Sequence, residues 1–211
     1  MKDPVLYDAW YDEHPCVFES ELRALRLSAK DCFNESGKIK GEGLDAGGGT
    51  GRFALELGIK TVLDPSVPMG KIASGRGLLY VQGSAESMPF PDAVYDVVLF
   101  VTSLCFIEDI DRAFKETCRV LKQNGNIIIG MINSDSAEGK KYISSGETVR
   151  RAKHHSPRKV IKLLKQNNFS EFNILQTIFQ NPLEMKMNSE IRTGFDEGVF
   201  VVVRAKKNTS R

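Results

Sequence analysis

The sequence predicts a doubly wound α/β domain with a parallel central sheet. Three observations predict it. From Gly43 onward, short apolar runs alternate with longer segments, and strand–helix alternation of this kind gives parallel strands joined by right-handed crossovers. The run Tyr95 to Val101 is almost unbroken in apolar residues, as a strand covered on both faces would be. The first strand then leads into a turn crowded with glycines, Gly47-Gly48-Gly49-Thr50-Gly51, and in open parallel sheets ligands bind beyond such strand ends.

Each element has its own signal. Residues 5–33 read as helical, because Leu22, Leu25, Ala29 and Phe33 recur at three- and four-residue steps. Trp10, Tyr11 and Phe18 lie just before that stripe. Leu44 to Ala46 ends a first strand, and Phe53 to Leu57 belongs to the helix after it. Thr61 to Leu63 is a second strand closed by Asp64-Pro65, Leu78 to Val81 a third and Tyr95 to Val101 a fourth. Ile110 to Lys122 is an amphipathic helix with Ala113, Phe114, Thr117 and Leu121 inward; Asn124-Gly125 breaks it, and Ile127 to Ile132 is the fifth strand. Ser156 to Gln166 is a helix with a serine cap and Pro157 at its first position. Phe172 to Phe179 and Val199 to Ala205 follow as two strands with no helix between them, which predicts an antiparallel pair closing the sheet edge. The connection Asn181 to Gly198 is long for a hairpin; it either borders a substrate pocket or wanders over the surface.

Composition narrows the class of protein. A length of 211 residues suits one domain, 1–211, and 41% hydrophobic with 27% charged residues is ordinary for a globular chain. The 29 basic and 27 acidic side chains leave +2, so global charge selects no partner. Cys16, Cys32, Cys105 and Cys118 form no C-x-x-C and lie at no zinc spacing, so they read as reduced thiols of a cytoplasmic protein. The N-terminus lacks a signal-peptide run, and no stretch approaches the roughly 20 apolar residues that span a bilayer. No membrane partner is expected.

The glycine turn carries the chemistry. Glycines let the backbone turn sharply and approach a ligand closely. Gly49-x-Gly51-x-x-Ala54 loosely matches a dinucleotide fingerprint. Asp45, however, ends the strand two residues before Gly47 and would repel a pyrophosphate. It suits a ligand bearing an ammonium group, such as S-adenosylmethionine. Asp64 ends the second strand, where a carboxylate can accept from both ribose hydroxyls. An NAD-dependent enzyme is the distant alternative.

Five segments in order resemble the motifs of class I S-adenosylmethionine-dependent methyltransferases. They are Asp45-x-Gly47-x-Gly49-x-Gly51, Val62-Leu63-Asp64-Pro65-Ser66, Gly83-Ser84-Ala85-Glu86 running on to Asp92, Tyr95-Asp96-Val97-Val98-Leu99, and Arg119 to Asn126. The likeness is closest to the small-molecule (type 11) subgroup with a PF-x-D-x-x-(F/Y)-D signature, and it runs from about residue 41 to 132. It implies a Rossmann-like sheet of seven strands with the last antiparallel, and S-adenosylmethionine as cofactor. It divides the chain into an N-terminal helical cap (1–40), a cofactor-binding core (41–132) and a closing part (133–211). The cofactor-binding residues it implies are Asp45, Ala46, Gly47, Gly49, Gly51 and Arg52 at the first turn; Asp64, Pro65, Ser66 and Met69 at the second; Gly83, Ser84, Ala85 and Glu86 at the third; and Val101, Thr102 and Phe106 after the fourth strand. Ser84 stands where the family usually has an acid that accepts from the adenine amine; the loss is about 1 kcal/mol, with Glu86 placed to compensate.

Methyl transfer is an in-line displacement on an activated carbon, in which positioning alone supplies roughly 7–11 kcal/mol. No general base is evident, because Cys105-Phe106 stands where many relatives have a histidine or an acid. Phe106 either packs on cofactor or substrate or starts a helix in the core; Cys105 reads as a packing residue. Trp10, Tyr11 and His14 are candidate substrate contacts on a lid-like helix, with hydrophobic docking as the alternative. Residues 138–165 carry nine basic side chains against Glu138 and Glu147, around His154-His155. That segment is either a solvated surface or a grip on an anionic substrate or RNA; the histidine pair lacks a third zinc ligand, so no metal is expected. The acceptor is expected to be a small molecule. An RNA methyltransferase and a non-catalytic cofactor-binding subunit are the rivals.

Overall fold

The computed structural model describes residues 3–145 and 152–209. Two helices, α1 (Pro4–Glu13) and α2 (Pro15–Ser28), precede the sheet. Then follow β1 (Gly43–Ala46), α3 (Arg52–Leu57), β2 (Thr61–Asp64), α4 (Val67–Gly75), β3 (Leu79–Gln82), β4 (Tyr95–Val101), α5 (Ile110–Val120) and β5 (Leu121–Ile132). The chain continues through α6 (Ala137–Ser145), α7 (Pro157–Gln166), β6 (Phe169–Thr177), β7 (Ile191–Thr193) and β8 (Phe200–Lys207).

The sheet has eight strands in the order β3-β2-β1-β4-β5-β8-β6-β7. β1 to β5 are mutually parallel, and β8 runs antiparallel to both β5 and β6. The doubly wound class is therefore as expected. β4 shows why its run is apolar throughout. Val98 and Phe100 face a core layer with Phe114 of α5 and Val160 and Leu164 of α7. Val97 and Leu99 face the opposite layer, with Leu22 and Leu25 of α2 and Phe53 of α3. Successive side chains of a strand alternate between faces, so a central strand needs apolar residues on both.

Four expectations are corrected. The single helix over 5–33 is two helices and a short 3₁₀ turn, because Pro15 follows His14; a residue before proline is driven out of helical conformation. The closing strand pair does not form the sheet edge. β8 inserts between β5 and β6, and the three-residue β7 is the edge and the eighth strand. β7 and a 3₁₀ turn at Pro182–Glu184 occupy much of the long connection. Asn133 anchors that connection by donating from Nδ2 to the carbonyls of Phe195 (2.7 Å) and Gly198 (3.0 Å). Finally, α5 stops at Val120, and Leu121 already pairs with Tyr95; an irregularity in the register then passes Asn124-Gly125 before Asn126 pairs with Val97.

Among the described residues no helix is long and apolar enough to cross a membrane, and no group of three or more His, Cys, Asp or Glu side chains is placed to hold a metal.

Candidate functional site

The C-terminal ends of the five parallel strands share one cavity of about 430 Å³, within the roughly 300–1,000 Å³ usual for small-molecule sites. After β1 the chain turns through Gly47, whose φ is +71° and whose N–H donates to the Leu63 carbonyl at 2.7 Å. A Cβ on Gly47 would stand 2.7 Å from Cβ of Ser103, so the turn closes against the end of β4 only with glycine there. Gly49, with φ +57°, is different: a Cβ there would meet nothing nearer than Met69 Sδ at 3.7 Å. It needs glycine for its conformation and leaves open space beside the backbone.

Two carboxylates stand behind this turn. Asp64 closes β2 and accepts from the Gly49 N–H (2.9 Å) and the Ser66 N–H (2.8 Å). Burial raises its pKa, and those two amides oppose the rise. Asp45 is 2% exposed, and its Oδ1 has no hydrogen-bond partner among the described residues. Burial pushes it up to about 7, the charge of Asp64 adds to the rise, and the Ala54 amide works against it. A buried, unpaired carboxylate oxygen is costly unless a ligand supplies a donor.

The third turn is held differently from the family pattern. Ser84 Oγ donates to the Glu86 carboxylate, and Glu86 also accepts from the amides of Glu108 (3.0 Å) and Asp109 (3.4 Å). Burial would raise its pKa, but these donors, Ser84 first, hold it below the ordinary value. An ionised Glu86 therefore stands beside Ser84 in this turn.

Most residues implied at the sequence level meet here. Gly47, Gly49, Asp64, Pro65, Ser66, Met69, Ser84, Ala85, Glu86, Val101, Thr102 and Phe106 all line the cavity. Asp45 lies beneath Gly48, whose Cβ would fall 2.6 Å from the Asp45 Cγ. Ala46, Gly51 and Gly83 support the turns and do not line the cavity; a Cβ on Gly51 would strike Leu78 at 2.2 Å.

Arg52 is a correction. Its guanidinium turns away to α1, donating to the Asp8 carbonyl (3.1 Å) and the Asp12 carboxylate (2.5 Å), and packs over the Phe18 ring. Trp10, Tyr11 and His14 are also not brought to the cavity. Trp10 stacks on His14, whose Nδ1 lies 2.7 Å from the Trp10 carbonyl, and Tyr11 is buried with its hydroxyl on Glu21. The lid aromatic that does line the cavity is Tyr7, one helical turn before Tyr11. The i, i+4 spacing of Tyr7 and Tyr11 was the available signal, but it gives no inward direction without the helix's docking. Cys105, Ile132, Ala152 and His154 also line the cavity. The connection from Asn181 to Gly198 does not line the cavity; Met185 and Ile191 pack against one core layer and Phe195 against the other.

The basic segment splits up. Lys141 pairs with Glu138, Arg158 with Asp196, and Lys159 Nζ lies 3.4 Å from Nδ1 of His155. Glu147, Arg150 and Arg151 lie outside the described residues.

S-adenosylmethionine fits these groups. The orphaned Asp45 oxygen suits a ligand ammonium, Asp64 a ribose diol, and the 84–86 turn with Phe106 and Ile107 a purine. Among the described residues no lysine or arginine lines the cavity, and the carboxylates of Asp45 and Asp64 behind the turn disfavour a pyrophosphate there. Fold and site together define an α/β domain for a phosphate-free adenosine cofactor. The comparisons agree. The methyltransferase domain family matches residues 44–129. An uncharacterized protein of Methanocaldococcus jannaschii is 37% identical over 204 residues, 95% of each chain. A Thermotoga maritima structure described as an SAM-dependent methyltransferase, possible histamine N-methyltransferase, superposes with TM-score 0.86 at 36% identity, covering 96% of this chain and 94% of that one. The ubiquinone/menaquinone biosynthesis C-methyltransferase UbiE of Stenotrophomonas maltophilia is 37% identical over 97 residues, 39% of this chain and 38% of its own. The chain belongs to the class I S-adenosylmethionine-dependent methyltransferases of type 11, and S-adenosylmethionine is its cofactor.

Proposed function

We propose that the protein transfers a methyl group to a small-molecule acceptor by in-line displacement within the cavity. The observation that carries this is one cavity with two unlike sets of lining residues. Asp64, Glu86 and the glycine turn make one set; Tyr7, Thr102, Cys105, Ile132 and His154 make the other. When bound, the cofactor supplies a methyl carbon activated by a sulfonium. The chain's own part is to orient and to keep water out. Asp45 and Gly49 hold the amino-acid end, Asp64 the ribose, and Ser84, Ala85 and Glu86 the base. Tyr7, carried on α1, covers the opening above Thr102. Such positioning is worth roughly 7–11 kcal/mol, so the reaction does not require a general base.

The relatives do not agree on the accepting atom: the Thermotoga maritima protein is described as a possible histamine N-methyltransferase and the Stenotrophomonas maltophilia protein as a C-methyltransferase. Titration calorimetry with S-adenosylhomocysteine, on wild type, Asp45→Ala and Gly49→Val, tests the cofactor end. Both variants are expected to remain folded by circular dichroism and to lose at least tenfold in affinity; unchanged affinity in both refutes the assignment. Labelled cofactor incubated with metabolite extract then tests transfer, and a labelled small product is the expected result.

A further inference from the structure

Beside the main cavity lies a small chamber of about 20 Å³, lined by Thr102, Leu104, Cys105, Met131, Ile132, His154 and His155. It shares Thr102, Cys105, Ile132 and His154 with the main cavity, so it adjoins the part of the cavity that these residues line. One water needs about 10–15 Å³ measured this way, so the chamber takes one or two atoms of a ligand and no more.

Its lining is built. His155 is 5% exposed, and its Nε2 is buried with no hydrogen-bond partner among the described residues. The segment bearing it is fixed to the end of β4, because the Lys153 N–H donates to the Cys105 carbonyl at 3.0 Å. Thr102, at the junction, holds φ +50°, a left-handed conformation that a β-branched residue rarely adopts and that collects at functional sites. The charges nearby are positive. Lys159 Nζ lies 3.4 Å from the other imidazole nitrogen, and among the described residues no carboxylate lines the chamber. Among the described residues, nothing that lines the chamber would balance a protonated amine.

We propose that this chamber receives the reacting oxygen or sulfur of the methyl acceptor, hydrogen-bonded by His155, and that the acceptor is a weakly acidic phenol or thiol. The proposal rests on the methyltransferase reading above and names its substrate class. An acceptor of this kind gives up its proton to solvent far more readily than an aliphatic alcohol does. Its lone pair forms the new bond to carbon, and the electron pair of the broken carbon–sulfur bond leaves with sulfur. That matches the surroundings. Burial first, then Lys159, Lys153 and His154, lower the His155 pKa to about 4, with the Leu104 backbone working against them. The imidazole is therefore neutral at pH 7, too weak a base to deprotonate an alcohol but able to hydrogen-bond a nucleophile.

The test uses the full chain with ¹⁵N-labelled histidine, saturated with S-adenosylhomocysteine, and three probes: phenol, thiophenol and benzylamine. Calorimetry first reports whether S-adenosylhomocysteine binds; failure there overturns the cofactor site and this proposal with it. In the loaded protein, phenol or thiophenol is expected to shift the His155 ring resonances saturably, and benzylamine to leave them unmoved. His155→Phe is expected to weaken probe binding at least tenfold while S-adenosylhomocysteine affinity stays within twofold, with His155→Gln as the milder variant if the first does not fold. Silence from both phenol and thiophenol, or an equal response to benzylamine, overturns the proposal. Which of the two acidic probes binds tighter tells oxygen from sulfur.

Discussion

Asp45 and Glu21 are both buried carboxyl groups, and each makes a pH-dependent claim. Asp45 sits near pKa 7 in the ligand-free protein, while a bound ammonium favours its ionised form. Binding must therefore strengthen as pH rises through 7. Calorimetry with S-adenosylhomocysteine is expected to show up to roughly tenfold tighter binding at pH 8 than at pH 6, and Asp45→Asn to bind weakly and without that slope. Glu21 lies 5% exposed on α2 and accepts the Tyr11 hydroxyl at 3.1 Å. Burial pushes it up to about 8, against the opposing Tyr11 hydrogen bond. Its folded pKa exceeds its ordinary 4.5, so the folded state holds the extra proton. The stability it contributes is complete below pH 4.5 and is lost as pH rises towards 8 and through it. Glu21→Gln is expected to flatten this decline in thermal melts between pH 5 and 9, each tenfold difference in proton affinity being worth about 1.4 kcal/mol. Neither carboxyl's burial is written in its neighbours: Asp45 was singled out by its place before the glycines, whereas Glu21 looked like any polar residue of an amphipathic helix.

Among the elements, α1 decides whether the cavity is roofed. Its aliphatic residues Val5 and Leu6 are 66% and 69% exposed, while Tyr11 is buried and Tyr7 and Trp10 pack against the core. A polar latch adds to this aromatic packing. Asp8 accepts from Arg76 (2.7 Å) and from the Thr50 hydroxyl (2.8 Å), and Arg52 donates to the Asp8 carbonyl. These partners come from the glycine turn, α3 and the end of α4, so one aspartate ties the roof to the cofactor-binding turn. Hydrogen bonds to charged groups are worth about 1.5–3 kcal/mol when part-buried, and removing Asp8 also leaves Arg76 without its acid. Asp8→Ala is expected to release α1, seen as faster amide exchange over residues 4–13 and about tenfold weaker S-adenosylhomocysteine binding, with the sheet unaffected. Unchanged exchange would show that aromatic packing holds α1 instead. The break between α1 and α2 had a signal in Pro15, but the expected helix ran straight through it. The latch was not legible, because it joins residues 42 to 68 positions apart.

Across the whole molecule, the sheet depends on β8, which arrives last and lies between β5 and β6. Phe200 opens that strand, 1% exposed, with its ring against Gly130 of β5, where a Cβ would come within 2.5 Å. A fully buried phenylalanine truncated to alanine costs about 3–5 kcal/mol, and a chain of this size loses about 2–4 °C in Tm for each kcal/mol. Phe200→Ala is therefore expected to lower Tm by roughly 10 °C in calorimetry. A shift of under 3 °C would show that the site collapses around the loss.

The sequence by itself determined the doubly wound class, the five parallel strands and the cofactor turn. Those features are local: hydrophobic period, glycine where φ turns positive, and an acid at a strand end all act within a few residues. Tertiary structure decided the rest. It turned Arg52 out to α1, chose Tyr7 over Trp10, Tyr11 and His14 as the aromatic facing the cavity, threaded β8 inside the edge, and placed the His155 imidazole behind Cys105. Each of these depends on contacts between segments distant in the chain, and side-chain direction at such contacts is set by packing, which no short-range pattern encodes.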